Sequence, residues 1–245
     1  MSSYFFIQSA VFHESQICQF LQALMEESKI LHNDQNTIDM SALSLQLIVP
    51  ATIQYMKDHN VNNADEILSS LNHCETEIPG LTYQIISSIC AKRLPDVFLP
   101  AVLLKLAGTL IKDCNCAKDL PSWYAPFEVK INEFNALLST IPTRITHRPS
   151  FLKIIKKMAL LIHDILDLIR KIPEKEIDPQ HLKELLFQKK EFTKSSKVFS
   201  VALKTFFTNE KSEDIYRIAL RLVSHNCLLL SILRRAAASQ PSPSK

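Results

Sequence analysis

Glycine is nearly missing: Gly80 and Gly108 are the only two in 245 residues. Sheet-rich folds use glycine at turns and bulges, and nucleotide-binding folds use it where backbone approaches phosphate. Its scarcity excludes a Gly-x-Gly-x-x-Gly or Walker-type loop and points to an all-α chain. Long uncharged runs are also lacking. No stretch of about 18 apolar residues is free of charge, so no membrane span is expected. The opening "MSSYFFIQSAVF" has neither a basic start nor a long apolar segment, so no secretory leader is expected. Six cysteines stand at 18, 74, 90, 114, 116 and 227. Their scatter reads as reduced thiols in a cytoplasmic protein.

What is present is apolar and periodic. Hydrophobic residues make up 47% of the chain, ample for a core. Charge is divided unevenly. Residues 1–140 carry 8 Lys/Arg against 15 Asp/Glu, and residues 141–245 carry 20 against 10, giving −7 and +10. Mutual attraction of the two halves accounts for this without a nucleic-acid partner.

Helical spacing recurs along the chain. The first helix is expected over 14–32, its face marked by Ile17, Phe20, Leu21, Leu24 and Leu31. A second runs from Asp39 or Ser41, as caps, to His59, with Pro50 kinking or interrupting it. Asn62 or Asn63 caps a third, with Asp65 and Glu66 in its first turn. Further helices start near Pro79 and Pro100 and span about 125–141. "SFLKIIKKMALLIHDILDLIRKI" is the clearest amphipathic helix, and two more cover about 179–207 and 213–235. Long helices with short polar links predict up-and-down bundles. The expected organisation is an acidic bundle over 1–141, a basic bundle over 142–235 and a disordered tail over 236–245. The bundles are packed together or joined through a long helix. The boundary rests on "IPTRITHRP", where the charge sign changes.

Chemistry is poorly marked. Cys114-Asn-Cys116 and His73-Cys74 lack the paired spacing of a zinc site. His163 and His225 lie in apolar helical runs and read as core or boundary histidines. Glu26-Glu27 and Asp65-Glu66 read as solvated faces or caps. "KKEFTKSSK" has one aromatic residue, too few for a nucleic-acid surface, and reads as a solvated helix face. Asp164 and Asp167 oppose binding of the basic helix to anionic lipid. No cofactor, metal or catalytic residue is expected; a non-enzymatic protein is.

Three short segments resemble the head of the vinculin and α-catenin family: Val11-Phe12-His13 before helix 1, Asp39-Met40-Ser41-Ala42 at the start of helix 2, and Asp65-Glu66-Ile67-Leu68. The resemblance covers about the first quarter of the chain. It implies two four-helix bundles and a cytoskeletal or cell-adhesion adaptor. It also implies that an amphipathic helix of talin, α-actinin or catenin type inserts between the first two helices. The faces so implicated are Ile17, Phe20, Leu21, Leu24 and Leu31, with Leu43, Leu47, Ala51 and Tyr55 opposite. No segment matches that family's actin-binding tail, so direct actin binding is not expected. The alternative is an all-α scaffold subunit of an unrelated complex.

Overall fold

A computed structural model describes residues 35–109, 121–172, 177–209 and 211–239. Among the described residues there is no strand. These residues form ten helices: α1 (Gln35–Leu47), α2 (Val49–Asp58), α3 (Ala64–Glu77), α4 (Leu81–Arg93), α5 (Leu99–Ala107), α6 (Tyr124–Ser139), α7 (Ile141–Arg144), α8 (Arg148–Lys171), α9 (Pro179–Asn209) and α10 (Glu213–Ala238). The protein is all-α, as the glycine count and the periodicity require.

The chain divides into two compact units between Leu99 and Pro100. The boundary expected at 141/142 instead falls inside the second unit, because α6 and α8, on either side of it, pack together. Pro142 and Pro149 sit in the first turns of α7 and α8. Proline lacks an N–H that those positions leave unpaired anyway, so both prolines start helices here rather than mark a linker. The passage between units occurs at the start of the short helix α5.

The first unit closes α1 on α2, α2 on α3, α3 on α4 and α4 back on α1. Pro50 lies in the first turn of α2, and the chain turns at Ile48. The missing proline N–H breaks the α1–α2 ladder there, so one expected helix becomes two. Asp39 and Ser41, expected as caps, lie inside α1 and are buried. Ser41 Oγ donates to Glu75 Oε2 at 2.8 Å and accepts from the Tyr83 N–H at 3.1 Å, joining α1 to the α3–α4 turn. Gly80 makes that turn at φ 100°, a left-handed conformation that suits glycine.

The second unit is a four-helix bundle in which α6 packs on α8, α8 on α9, α9 on α10 and α10 on α6. Its core is large. Phe127, Ile131 and Phe134 on α6 face Phe192 and Phe199 on α9 and Leu222 and Leu229 on α10, all at 2% exposure or less. Each such side chain contributes roughly 1.5–3 kcal/mol by leaving water. Phe134 and Phe192 meet edge to face, 6.2 Å between centroids. Phe151, Phe206 and Phe207 cluster at one end, with the Arg148 guanidinium 5.3 Å above the Phe207 ring. Helix α10 is long and apolar enough to cross a membrane by composition, but most of its apolar window is buried in this core. It runs to Ala238, with Ala236 and Ala237 buried, so the first residues expected in a disordered tail are packed helix.

Candidate protein-binding surfaces

The residues singled out in the sequence fall into two groups. Ile17, Phe20, Leu21, Leu24 and Leu31 lie outside the described residues. On the other face, Leu43 and Leu47 are buried in the first unit, Ala51 is exposed and Tyr55 is half-buried. In one straight helix these four positions would form a single stripe. In α2 it is Val49 and Ile53 that take the core positions instead. Tyr55 stacks on His59 at 3.8 Å, a local helix-end contact.

Among the described residues of the first unit, a row of apolar side chains is only partly buried. Around buried Val49, Ile53 and Ala64 pack Leu45, Met56, Ile67, Leu68 and Leu71, all only partly buried. On α4, Tyr83, Ile85 and Ile86 are half-buried and Ile89 is 37% exposed. Burial of Cys90 on that helix pushes its thiol pKa up. Rows of half-wetted isoleucine and leucine on two neighbouring helices leave transfer free energy ungained, the condition an association interface removes.

The second unit has a different outer face. On α9, Leu186, Lys189, Lys190, Thr193, Lys194 and Lys197 line a shallow trough of about 440 Å³. Their spacing of three and four residues places them on one side of the helix. Lysine stems cover apolar ground while the ammonium groups stay wet. Leu186 is 52% exposed and Val201, farther along α9, 61%. Helix α8 carries Leu152 and Leu160 exposed among Lys153, Lys156 and Lys157. A charged face is ordinary; large aliphatic residues set among its lysines are what distinguish this one. The segment "KKEFTKSSK", read from the sequence as only a solvated face, belongs to it. The signal was Leu186 and Val201 at helical spacing beyond the ends of the lysine run.

Polar pairs inside the bundle hold α6, α9 and α10 in register. Ser195 Oγ lies 2.9 Å from His225 Nε2, and both residues are buried. Asn226 Nδ2 donates to Asn135 Oδ1 at 2.6 Å. Tyr124 and Glu128 meet Arg234, whose Nη2 is 3.3 Å from Glu128 Oε1 and whose Nε donates to Tyr124 Oη at 3.3 Å. Burial raises the Tyr124 pKa, the Arg234 hydrogen bond opposing it. His163 is exposed, with Nδ1 3.4 Å from Asp167, and Asp164 pairs with Lys130 at 2.9 Å. Cys114 and Cys116 lie outside the described residues, and among the described residues no three His, Cys, Asp or Glu gather as metal ligands. Among the described residues, the Ser–His pair of Ser195 with His225 is buried in the bundle and does not face an open cleft.

Two family models match the chain, in order and on the two units. Residues 38–95 match the programmed cell death protein 10 dimerisation domain, and residues 97–186 match the programmed cell death protein 10 C-terminal model. Together they span more than half the sequence. The chain belongs to the programmed cell death protein 10 family. The resemblance to vinculin and α-catenin is thereby overturned. Its motifs were short, and the helix-2 segment that carried most of it falls inside the match to the dimerisation domain. What stands of the functional expectation is the alternative, an all-α scaffold working through protein contacts. Talin, α-actinin and catenin have no support as partners. In this programmed cell death protein 10 relative the matched C-terminal residues stop at 186, so most of α9 and all of α10 lie beyond them.

Proposed function

We propose that the protein is a non-enzymatic adaptor that dimerises through its first unit and receives an acidic partner helix on its second. One observation carries the reading. The segment matching a dimerisation domain carries rows of half-covered apolar residues on two neighbouring helices, α3 and α4. A second copy supplies the same surface in a two-fold arrangement, which is the commonest route to a closed pair. Its interface is a set of aliphatic side chains that lose their remaining contact with water.

The second unit's trough on α9 suits the apolar face of an amphipathic helix whose flanks carry carboxylates. The partner's aliphatic residues would lie over Leu186 and the lysine stems, and its acids would meet Lys190, Lys194 and Lys197. A net charge of +10 over residues 141–245 favours an acidic partner on approach. A cytoplasmic location fits Cys74 and Cys90, neither of which forms a disulfide.

Sedimentation equilibrium tests the dimer. The wild-type chain should run at twice its 27.9 kDa. The double variant Leu68→Glu/Ile89→Glu should run at the single mass with its helicity retained. A wild-type chain that stays monomeric at tens of micromolar would sink the proposal.

A further inference from the structure

A set of buried polar residues crosses the second unit. Asn135 on α6, Ser195 and Ser196 on α9, and Ser224, His225 and Asn226 on α10 are all 8% exposed or less. His225 is the member that can gain a charge near neutral pH. It is 7% exposed, and its Nε2 lies 2.9 Å from Ser195 Oγ across the α9–α10 contact. The next residue, Asn226, holds α10 to α6 through Asn135. A proton on the imidazole therefore arrives where three helices are joined. The neutral ring presents one N–H and one acceptor, whereas imidazolium presents two N–H groups and a full charge. Holding such a charge away from water is costly.

The charged groups on the surrounding helices do little to offset that cost. Helices α9 and α10 run antiparallel, since Glu184 meets Arg235 and Ser195 meets His225. Glu191 on α9 therefore stands level with Leu228 and Leu229, a turn away from the ring, and lies 3.9 Å from Lys194. Lys194 and Lys197 belong to the outer trough. On α10 the charged residue within one turn is Arg221, a cation that opposes a second positive charge, and Cys227 is half-buried. On α6 the charge within one turn of Asn135 is Glu133, exposed beside Lys130, which itself pairs with Asp164 of α8. Across the bundle, α8 buries Met158, Leu161 and Ile165.

We propose that His225 is a proton-operated switch in the second unit, which takes up a proton at mildly acidic pH and releases α9 from α10. The sign follows from burial. In the closed bundle the ring stays neutral. In the opened bundle it lies in water and binds a proton below about pH 6.5. The opened form then holds more protons than the closed one, so this contribution to stability is full above that pH and falls as pH drops below it. His163 and His181 lie 3.4 and 3.9 Å from Asp167 and Asp178, so their protonation strengthens those pairs and opposes the effect. His147 Nδ1 accepts from the Ser150 N–H at 3.3 Å, a cap that protonation also breaks, but at the exposed start of α8.

The test uses the full chain and amide hydrogen exchange, read residue by residue by NMR at about pH 7.5 and about pH 5.5 and corrected for the intrinsic rate at each pH. Amides of residues 192–199 and 222–229 should open about tenfold more often at the lower pH, the gain that one proton on an opened ring gives over that interval. His225→Gln keeps a polar group beside Ser195 that takes up no proton, and its response should fall below about twofold. His147→Asn, which keeps an uncharged cap on α8, should retain the tenfold response. The His225 ring resonance of the folded wild type, assigned from its backbone, should not titrate down to about pH 5.5. That measurement decides the matter even where His225→Gln does not fold. Equal protection at the two pH values overturns the proposal. So does a response that survives His225→Gln, or a folded-state ring that titrates as it would in water.

Discussion

Asn226 on α10 donates to Asn135 on α6 at 2.6 Å inside the bundle core, 91 residues apart in sequence. Both residues are at 3% exposure or less. A buried amide pair of this kind fixes which turn of α10 faces which turn of α6. Any slip leaves two polar groups without partners, while the apolar layers around them would tolerate it.

Asn226→Leu alone should therefore cost about 2–3 kcal/mol, because it strands the Asn135 amide in the core. The double variant Asn135→Leu/Asn226→Leu should cost less than the two single changes added together. Urea unfolding of the four proteins measures this, and strict additivity would refute the pairing.

Glu75 closes the first unit. Its carboxylate accepts from the Gly80 N–H at 2.5 Å and the Thr82 N–H at 2.8 Å, in the first turn of α4, and from Ser41 Oγ at 2.8 Å. A carboxylate at a helix N-terminus satisfies unpaired N–H groups and opposes the positive end of the dipole. Glu75→Ala should lower stability by about 1–3 kcal/mol, and Ser41→Ala by about 1 kcal/mol. Thermal unfolding that leaves the midpoint unmoved in Glu75→Ala would show that water replaces all three bonds.

Tyr124 makes the second unit sensitive to alkali. Burial raises its pKa above the ordinary value of 10.0. The unfolded chain then releases the phenol proton first as pH rises, so it binds fewer protons than the folded chain above that value. Stability from this group is full below pH 10, falls above it, and is lost once the folded phenol ionises too. Urea midpoints between pH 8 and 11.5 should drop at the alkaline end, less steeply in Tyr124→Phe. Equal slopes in the two proteins would rule this out.

Gly108 ends α5 against α6. A Cβ added there would stand 2.5 Å from Ser139 Oγ and 3.0 Å from Ser139 Cβ. Gly108→Ala should cost roughly 1–2 kcal/mol from overpacking. Ser139→Ala in the same chain removes the nearer of the two contacts and should recover part of the loss. Calorimetry of the single and double variants decides it, and a stabilised Gly108→Ala protein would exclude the clash.

Lys190→Glu/Lys194→Glu changes only exposed residues of α9. It should leave unfolding within about 0.5 kcal/mol of wild type. It should also abolish binding of acidic helices to the trough, read by fluorescence anisotropy at two salt concentrations. Binding by the variant equal to wild type would show that the lysines are merely solvating.

The amino-acid sequence by itself determined the class of structure and the helix starts near Pro100 and Pro179, while Pro50 reads from it as a kink and Pro142 and Pro149 as a boundary. Two glycines in 245 residues leave little but helix. Pro50, Pro100, Pro142, Pro149 and Pro179 all sit in first turns, because proline's ring and missing N–H suit that position and few others. The apolar stripe of Phe151, Met158, Leu161, Ile165 and Ile169 on α8 is the buried one. Only the tertiary structure decided which stripes meet. A row of leucines is the same row whether α6 packs on α8 or the chain parts between them, so the unit boundary at Leu99 could not be read from the charge change at 141. The likeness to vinculin arose the same way: helical spacing plus a few shared residues is common property of helix bundles. Ser41 reads as a cap and His225 as a core or boundary histidine, and only the fold supplies their partners, Glu75 and Ser195. Local sequence sets periodicity and backbone freedom. Hydrophobic burial does not depend on direction, so it leaves the choice of partner to shape and to a few buried polar groups that tolerate one arrangement.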